Sequence, residues 1–552
     1  MSTKALPSKT VAVAAPPDRS SLIAVALAVA YLAALYFTAP ALGYARDEGF
    51  YFHAARSYRP WFELLWQNPR AALEPNVIDR YWSANHEHPS LMKVLFMASH
   101  RIFHEGLGWI AEPGTAYRLP GMLSGGVAVA TIYLWGRRVS GHAAGLVAAV
   151  SFAAMPRVFF HAHLACFDVP VTAAWLVTSY CYVRSLETPR LGWYVATAIC
   201  YGLLLEVKHN AWLLPVVLIG HHLLLLLGDV FASRRPVRAL VPRAWIGMLL
   251  LGPVIFYALW PWLWFDPIAR FAEYFAFHRH HDYYNMEFLG RTYWKPPMPL
   301  GYSWVMTAAT VPLITLLLFL LGLIRLVAGV QKLREQAPER RSAPELFWLV
   351  AVLVSYGPWL SDSTPIFGGT KHWMTAYPFL CLLAGSGAAW VLERLGALRF
   401  GKIPARVHTT VAGACLVAAP IGMTLHSHPF GLSFYTPLVG GAAGAATLGL
   451  NRTFWGYTTG SLAPTLNRDA PPGAGVYVHD TALPSFEMLQ ADGRLRSDLR
   501  PTLAIHQSSL ALYHHEPHMG RVEYQIWVEY SGVVPSTLLI YDGVPIVWLY
   551  ER

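Results

Sequence analysis

Apolar residues in this chain run in long stretches, and polar residues are confined to short clusters between them. A helix needs roughly 20 apolar residues to cross a bilayer. About eleven segments approach that length, near 21–40, 117–136, 141–157, 168–186, 191–207, 211–230, 244–263, 300–325, 346–361, 375–393 and 407–425. The stretch "PSLMKVLFMASHRIFH" (89–104) is apolar but too short and too basic to span, so it is expected to lie at the interface.

The basic residues orient these segments. With Lys4, Lys9 and Arg19 in the cytoplasm, every even-numbered helix exits onto a basic turn: Arg137 and Arg138, Arg184 and Arg190, "RRPVRALVPR", "RLVAGVQKLREQAPERR" and "RLGALRFGKIPAR". This places the N-terminus inside and everything after residue 426 outside. The expected division is a disordered cytoplasmic segment (1–20), a membrane domain (21–425) whose first outer loop is 41–116, and an extracytoplasmic C-terminal domain (426–552). Further outer loops fall at 264–299 and 361–374. In the tail, "GVYVHD" alternates like a strand, "SFEMLQADGRL" reads as a short helix, and "TLLIYDGVPIVWLYE" reads as a hairpin around Asp542-Gly543. The fold expected is an all-α polytopic membrane protein with interfacial helices in its first outer loop and a small C-terminal α/β domain.

Composition agrees. Only 13% of the 552 residues are charged, where a soluble chain carries about a quarter. The net charge of +10 suggests nucleic acid until the clusters are seen to follow topology, so no nucleic-acid partner is expected. The first apolar run has no small-residue cleavage site after it and reads as a retained helix. The five cysteines sit in or beside apolar runs without metal-like spacing and read as core.

Candidate chemistry gathers on the outer face. "YARDEGFYFHAARSY" puts Asp47 and Glu48 at the mouth of the first helix among aromatics suited to an interface or to sugar stacking. As interfacial anchors these acids would pair with Arg46 or Arg56. Asp168 falls on the same face at the start of the fourth helix, where it is either an N-cap or part of a shared site. "SANHEHPSLMK" holds Glu87 between His86 and His88, and "FHRHHDYY" holds His278, His280 and His281; these are metal ligands or solvated loop residues. Lys208 and Lys371 lie at outer helix ends, where they either snorkel or bind a phosphate.

The order of these features resembles the GT-C glycosyltransferases of family 39 and its relatives, the protein O-mannosyltransferases and the lipid A aminoarabinose transferases. The matching elements are the Asp-Glu pair, "HEHPSLMKVLF", and "YRLPGMLSGGVAVATIYLWGRRVSGHAAGLVAAVSFAAMP" followed by Asp168. They span roughly residues 20 to 400. Ser90 departs from the family's second proline and His88 from a frequent lysine. The resemblance implies a GT-C fold in a membrane, most readily a bacterial inner membrane. It also implies a polyprenyl-phosphate-linked sugar donor and extracytoplasmic transfer with inversion to a glycan, lipid or protein hydroxyl. Carried over residue by residue, Asp47 is the candidate base, Asp168 the second carboxylate, and Glu48 a residue that holds the loop. Lys208 and Lys371 bind the donor phosphate, and Glu87 and His278 form a divalent-metal pair (zinc, magnesium or manganese). The competing readings are a secondary transporter, disfavoured by the lack of an internal repeat and by acids clustered at one face, and a non-catalytic scaffold of an envelope assembly.

Overall fold

The computed structural model describes residues 19–231, 240–335, 342–398 and 403–552. The N-terminus expected to be disordered, apart from its last two residues, and the middles of three basic turns expected in the cytoplasm lie outside the described residues.

Each of the eleven apolar segments is helical. Among the described residues five helices are long and apolar enough to cross a bilayer singly: Ser20–Ala41, Pro113–Ser140, His209–Val230, Gly369–Ala397 and Ala405–Ser427. Two more candidate spans are bent pairs, His142–Ala153 with Pro156–His163 (66°) and Tyr302–Thr310 with Leu313–Gly329 (117°). Leu191–Leu205, Arg243–Leu259 and Pro344–Leu360 are shorter. Pro156 and Pro312 stand at the two bends, where a missing N–H interrupts the helical ladder. Leu22, Val25, Val29 and Phe37 on the first helix are exposed, as are Leu249, Leu250 and Val254 further on. Apolar side chains facing outward on apolar helices suit a lipid surround.

At the centre is Tyr377–Ala397, whose membrane stretch is 89% buried. It crosses Leu313–Glu335 at two glycines. A Cβ on Gly387 would fall 2.0 Å from the Leu318 carbonyl oxygen, and one on Gly322 2.0 Å from that of Leu383. Only backbone against backbone fits there, the close approach that small residues allow between membrane helices.

The segment expected as the first outer loop is helical: α1 (Arg46–Gln67), short turns, and α2 (Leu91–Ser99), which runs into a wider π-type turn. In the second, α3 (Pro267–Arg279) is followed by a two-stranded ribbon, β1 (Met286–Phe288) and β2 (Arg291–Tyr293). The ribbon is absent from the sequence reading; its strands of three residues are too short to give an alternating signal.

The C-terminal sheet is β3 (Gly475–Val478), β4 (Arg500–Thr502), β5 (Leu510–His514), β6 (Thr537–Tyr541) and β7 (Val544–Glu551), in the order β4-β3-β5-β7-β6. β3 runs parallel to β4 and β5, while β7 is antiparallel to β5 and β6. The expected strand, helix (Leu483–Ala491) and hairpin all occur. Asp542 (φ 47°) and Gly543 (φ 75°) both adopt the positive φ that a tight two-residue hairpin turn requires.

Candidate active site

Asp47 and Glu48 do not close the first membrane helix. That helix ends at Thr38, and after a short turn the two acids sit in the first turn of α1, where exposed amide N–H groups favour carboxylates. Neighbours on a helix point roughly 100° apart, so the pair faces two ways. Glu48 points inward and is fully buried. Its oxygens accept from Arg118 Nε (2.7 Å) and Nη2 (2.8 Å) and from the backbone N–H groups of Ala45 and Ala165, each at 2.9 Å. Arg118 in turn donates to the carbonyls of Leu42 (3.2 Å) and Gly43 (2.6 Å). Glu48 therefore ties the entry of α1 to the helix Pro113–Ser140 and to residue 165.

Asp47 points the other way and accepts from Lys371 Nζ at 2.9 Å. The ammonium stands 4.0 Å from the centre of the Trp455 ring, a cation–π contact on its other side. Trp455 has φ +73°, costly for a bulky residue and the kind of strain that clusters at functional sites. Its carbonyl accepts the Arg46 N–H at 2.8 Å, which locks it to the residue before Asp47. A Cβ on the following Gly456 would lie 2.5 Å from the Asp480 carbonyl oxygen, so this turn fits against the C-terminal sheet domain only with glycine.

Asp168 opens the helix Asp168–Glu187 but does not cap it. Its carboxylate accepts from Lys208 Nζ at 2.7 Å and lies 3.7 Å from His161 Nδ1. Lys208 sits in the break between Leu191–Leu205 and His209–Leu213. The two acid–lysine pairs are neighbours: the Trp455 ring that carries Lys371 also packs edge-on against His161 (ring centroids 5.4 Å), which lies beside Asp168. Tyr51, one turn beyond Asp47, shows the convergence. Burial first, then Asp47, the Cys166 thiol, Asp168 and Glu87, push its hydroxyl well above the ordinary range. The charges of residues 47, 87 and 168 thus all act on one phenol.

Glu87 and His278 are adjacent, but not as a ligand set. His278 Nε2 meets the Glu87 backbone carbonyl at 2.9 Å, while the Glu87 carboxylate accepts from Asn85 Nδ2 at 2.6 Å. Burial lowers His278 to about 4 against that carbonyl contact, so its ring is neutral at pH 7. Among the described residues no three His, Cys, Asp or Glu side chains converge on a metal position. As placed, the Glu87 carboxylate and the His278 ring do not fit a shared metal ion. His280 and His281 contact only nearby backbone and rings.

The simpler pairings suggested by the sequence are replaced. Arg46 reaches Asp480 (4.0 Å) and Arg56 reaches Glu487 (4.0 Å), not Asp47 or Glu48. Neither Lys208 nor Lys371 snorkels; each meets a carboxylate. Sequence reasoning missed Arg118, Trp455 and Lys93. Lys93 is fully buried and donates to the carbonyls of Asn85 (2.5 Å) and His88 (2.9 Å), pinning the loop that carries Glu87. A lysine five residues after His88, facing back over one helical turn, was a usable signal. The aromatic-glycine run "FWGY" was the only signal for Trp455.

An apolar groove of about 490 Å³ opens beside this site. Leu91 and Leu95 of α2, Leu119 and Leu123, Pro170 and Val207 line it. Pro170 is two residues from Asp168, and Val207 immediately precedes Lys208.

A family model, dolichyl-phosphate-mannose-protein mannosyltransferase, matches residues 87–262, which bears out the resemblance read from the sequence over that segment. Among solved structures, the chain is similar to ArnT from Cupriavidus metallidurans bound to undecaprenyl phosphate (15% identity, TM-score 0.47, 96% of this chain and 97% of that one). It is also similar to the Archaeoglobus fulgidus oligosaccharyltransferase in its apo form (10%, TM-score 0.48, 94% and 72%). A third is the same archaeon's AglB with an inhibitory peptide and a dolichol-phosphate (11%, TM-score 0.43, 92% and 70%). A comparison with curated proteins finds no match.

Proposed function

We propose that this chain is an integral-membrane glycosyltransferase that moves a sugar from a polyprenyl-phosphate donor to an acceptor hydroxyl on the extracytoplasmic face. The reading rests chiefly on the two acid–lysine pairs, Asp47–Lys371 and Asp168–Lys208, which four separated segments bring together beside an apolar groove. The groove suits a polyprenyl tail. The lysines at its polar end suit the phosphate, a leaving group that needs its charge held more than it needs a strong acid. Lys371 is the link. A phosphate arriving there competes with Asp47 for the ammonium and frees the carboxylate to take the acceptor's proton. Attack from the side opposite the phosphate inverts the anomeric carbon. Asp168 keeps Lys208 in place, and Glu48 fixes α1 and hence the position of Asp47. The domain division and the orientation read from the sequence, with both the site and the C-terminal domain outside, belong to the same proposal. The test uses the purified full chain in vesicles with a polyprenyl-phosphate sugar. Release of polyprenyl phosphate coupled to glycosylation of an added acceptor supports the reading, and release with no glycosylated product rejects it.

A further inference from the structure

Arg157 begins Pro156–His163, the outer half of the 66° bent pair. It is 2% exposed, and none of its three guanidinium nitrogens has a hydrogen-bond acceptor. The Tyr435 ring stands 5.1 Å from the guanidinium carbon and its hydroxyl is close enough to interact with it, but no neutralising ion pair to a carboxylate is present among the described residues. A guanidinium cannot shed its proton inside a protein. A buried, unpaired charge costs several kcal/mol or more, and such a group persists where something else supplies the counter-charge.

The surroundings are built to admit one. Arg157 lines a narrow cavity with Asn285, Glu287, Tyr302, Asn451 and Phe454. Glu287 lines the same cavity but makes no direct ion pair with Arg157: its oxygens accept from Thr292 Oγ1 (2.8 Å each), and one also meets His518 Nδ1 (3.0 Å). Asn451 presents a buried amide oxygen with no donor, so a ligand with a hydroxyl beside its anionic group would satisfy both residues. On the facing wall, Gly369 holds the cavity open. A Cβ there would sit 3.8 Å from Arg157 Nη1 and 3.5 Å from Phe454, and its φ of +57° resists any other residue. The cavity adjoins the candidate site. Phe454 lines it, and the next residue, Trp455, lies under Lys371.

We propose that Arg157 is the anchor of an oxyanion subsite that accepts a carboxylate or phosphate substituent of a sugar, making the substrate of this chain an acidic sugar. The subsite stands on burial and missing partners alone; only the assignment of its ligand to a sugar rests on the glycosyltransferase reading. A planar or tetrahedral oxyanion matches the two-pronged guanidinium.

The test compares the full detergent-purified chain with Arg157→Met, using D-glucuronate, inorganic phosphate and D-glucose as probes of thermal unfolding. Without ligand, Arg157→Met should unfold several degrees higher than the native chain, because it removes an unpaired buried charge at similar volume; a lower midpoint means that Arg157 has a partner within the protein and overturns the proposal. With ligand, glucuronate should raise the native midpoint and leave Arg157→Met unmoved, while glucose moves neither. If phosphate alone acts through Arg157, the oxyanion subsite stands and its ligand is a phosphate. An equal response of both proteins to every probe, or none from either, overturns it. Transfer that fails in Asp47→Asn while the Arg157 response persists separates this subsite from the catalytic reading, and intact transfer with no Arg157 response rejects the subsite alone.

Discussion

Glu48 and Asp47 are neighbours in one helical turn, yet their surroundings differ in almost every respect. Glu48 is sealed, with four hydrogen bonds to its two oxygens, a bidentate arginine among them. Asp47 is about one-fifth exposed and has a single lysine, which it shares electrostatically with Asp168. A saturated carboxylate cannot take up a proton or a ligand without breaking the fold, whereas a partly exposed carboxylate held by one ammonium can. The contrast separates the acid that builds the site from the acid that can react in it.

The largest effect on folding is expected from Glu48→Gln. It leaves Arg118 buried without its counter-charge, a loss of about 3–5 kcal/mol. Thermal unfolding in detergent should show a marked drop or no recoverable protein, and a midpoint unchanged from the native chain would remove the distinction. Asp47→Asn should do the reverse. Transfer should fall by about 10²–10⁴, the contribution of a positioned base, and the midpoint should drop less than for Glu48→Gln because Lys371 keeps the face of Trp455. A weaker version of the same split is Trp455→Leu. It removes a cation–π contact worth about 0.5–2 kcal/mol and should lower transfer by roughly two- to thirtyfold, read as kcat/KM.

A further expected effect is a pH dependence away from the site. Glu516, which accepts from Asn285 Nδ2 at 2.9 Å, is pushed up to about 8 by burial, then by Asp480 and, more weakly, Glu287. A carboxyl raised in the folded state stabilises only while protonated. Its contribution is complete below the ordinary glutamate value and is lost as pH rises toward about 8. The contact between the second outer segment and the C-terminal domain should loosen over that range, and Glu516→Gln should flatten the slope of unfolding midpoint against pH. A slope of opposite sign in the native chain would contradict this.

The membrane architecture was legible because a bilayer imposes one rule everywhere: long apolar helices with basic turns. Asp47, Asp168, Lys208 and Lys371 were legible as outer-face charges at helix ends, where a charge beside lipid needs a reason. Their pairing was not. Asp47 meets Lys371 across more than three hundred positions, and no local pattern distinguishes that partner from Arg46, one residue away. The C-terminal segment was read as a separate domain, yet it supplies Trp455 to the site through a strained turn that no periodicity reveals. Ends of long helices thus carry their own signal, while contacts between distant loops depend on packing.

The central claim is that Asp47 and Asp168 serve one reaction centre. A double-mutant cycle tests it most directly, with kcat/KM for sugar transfer measured in Asp47→Asn, Asp168→Asn and the pair together, each shown to be folded. Residues that act as a unit are non-additive, so the double variant should lose little more than the worse single variant. Losses that multiply fully, or undiminished transfer in either single variant, would contradict a shared site.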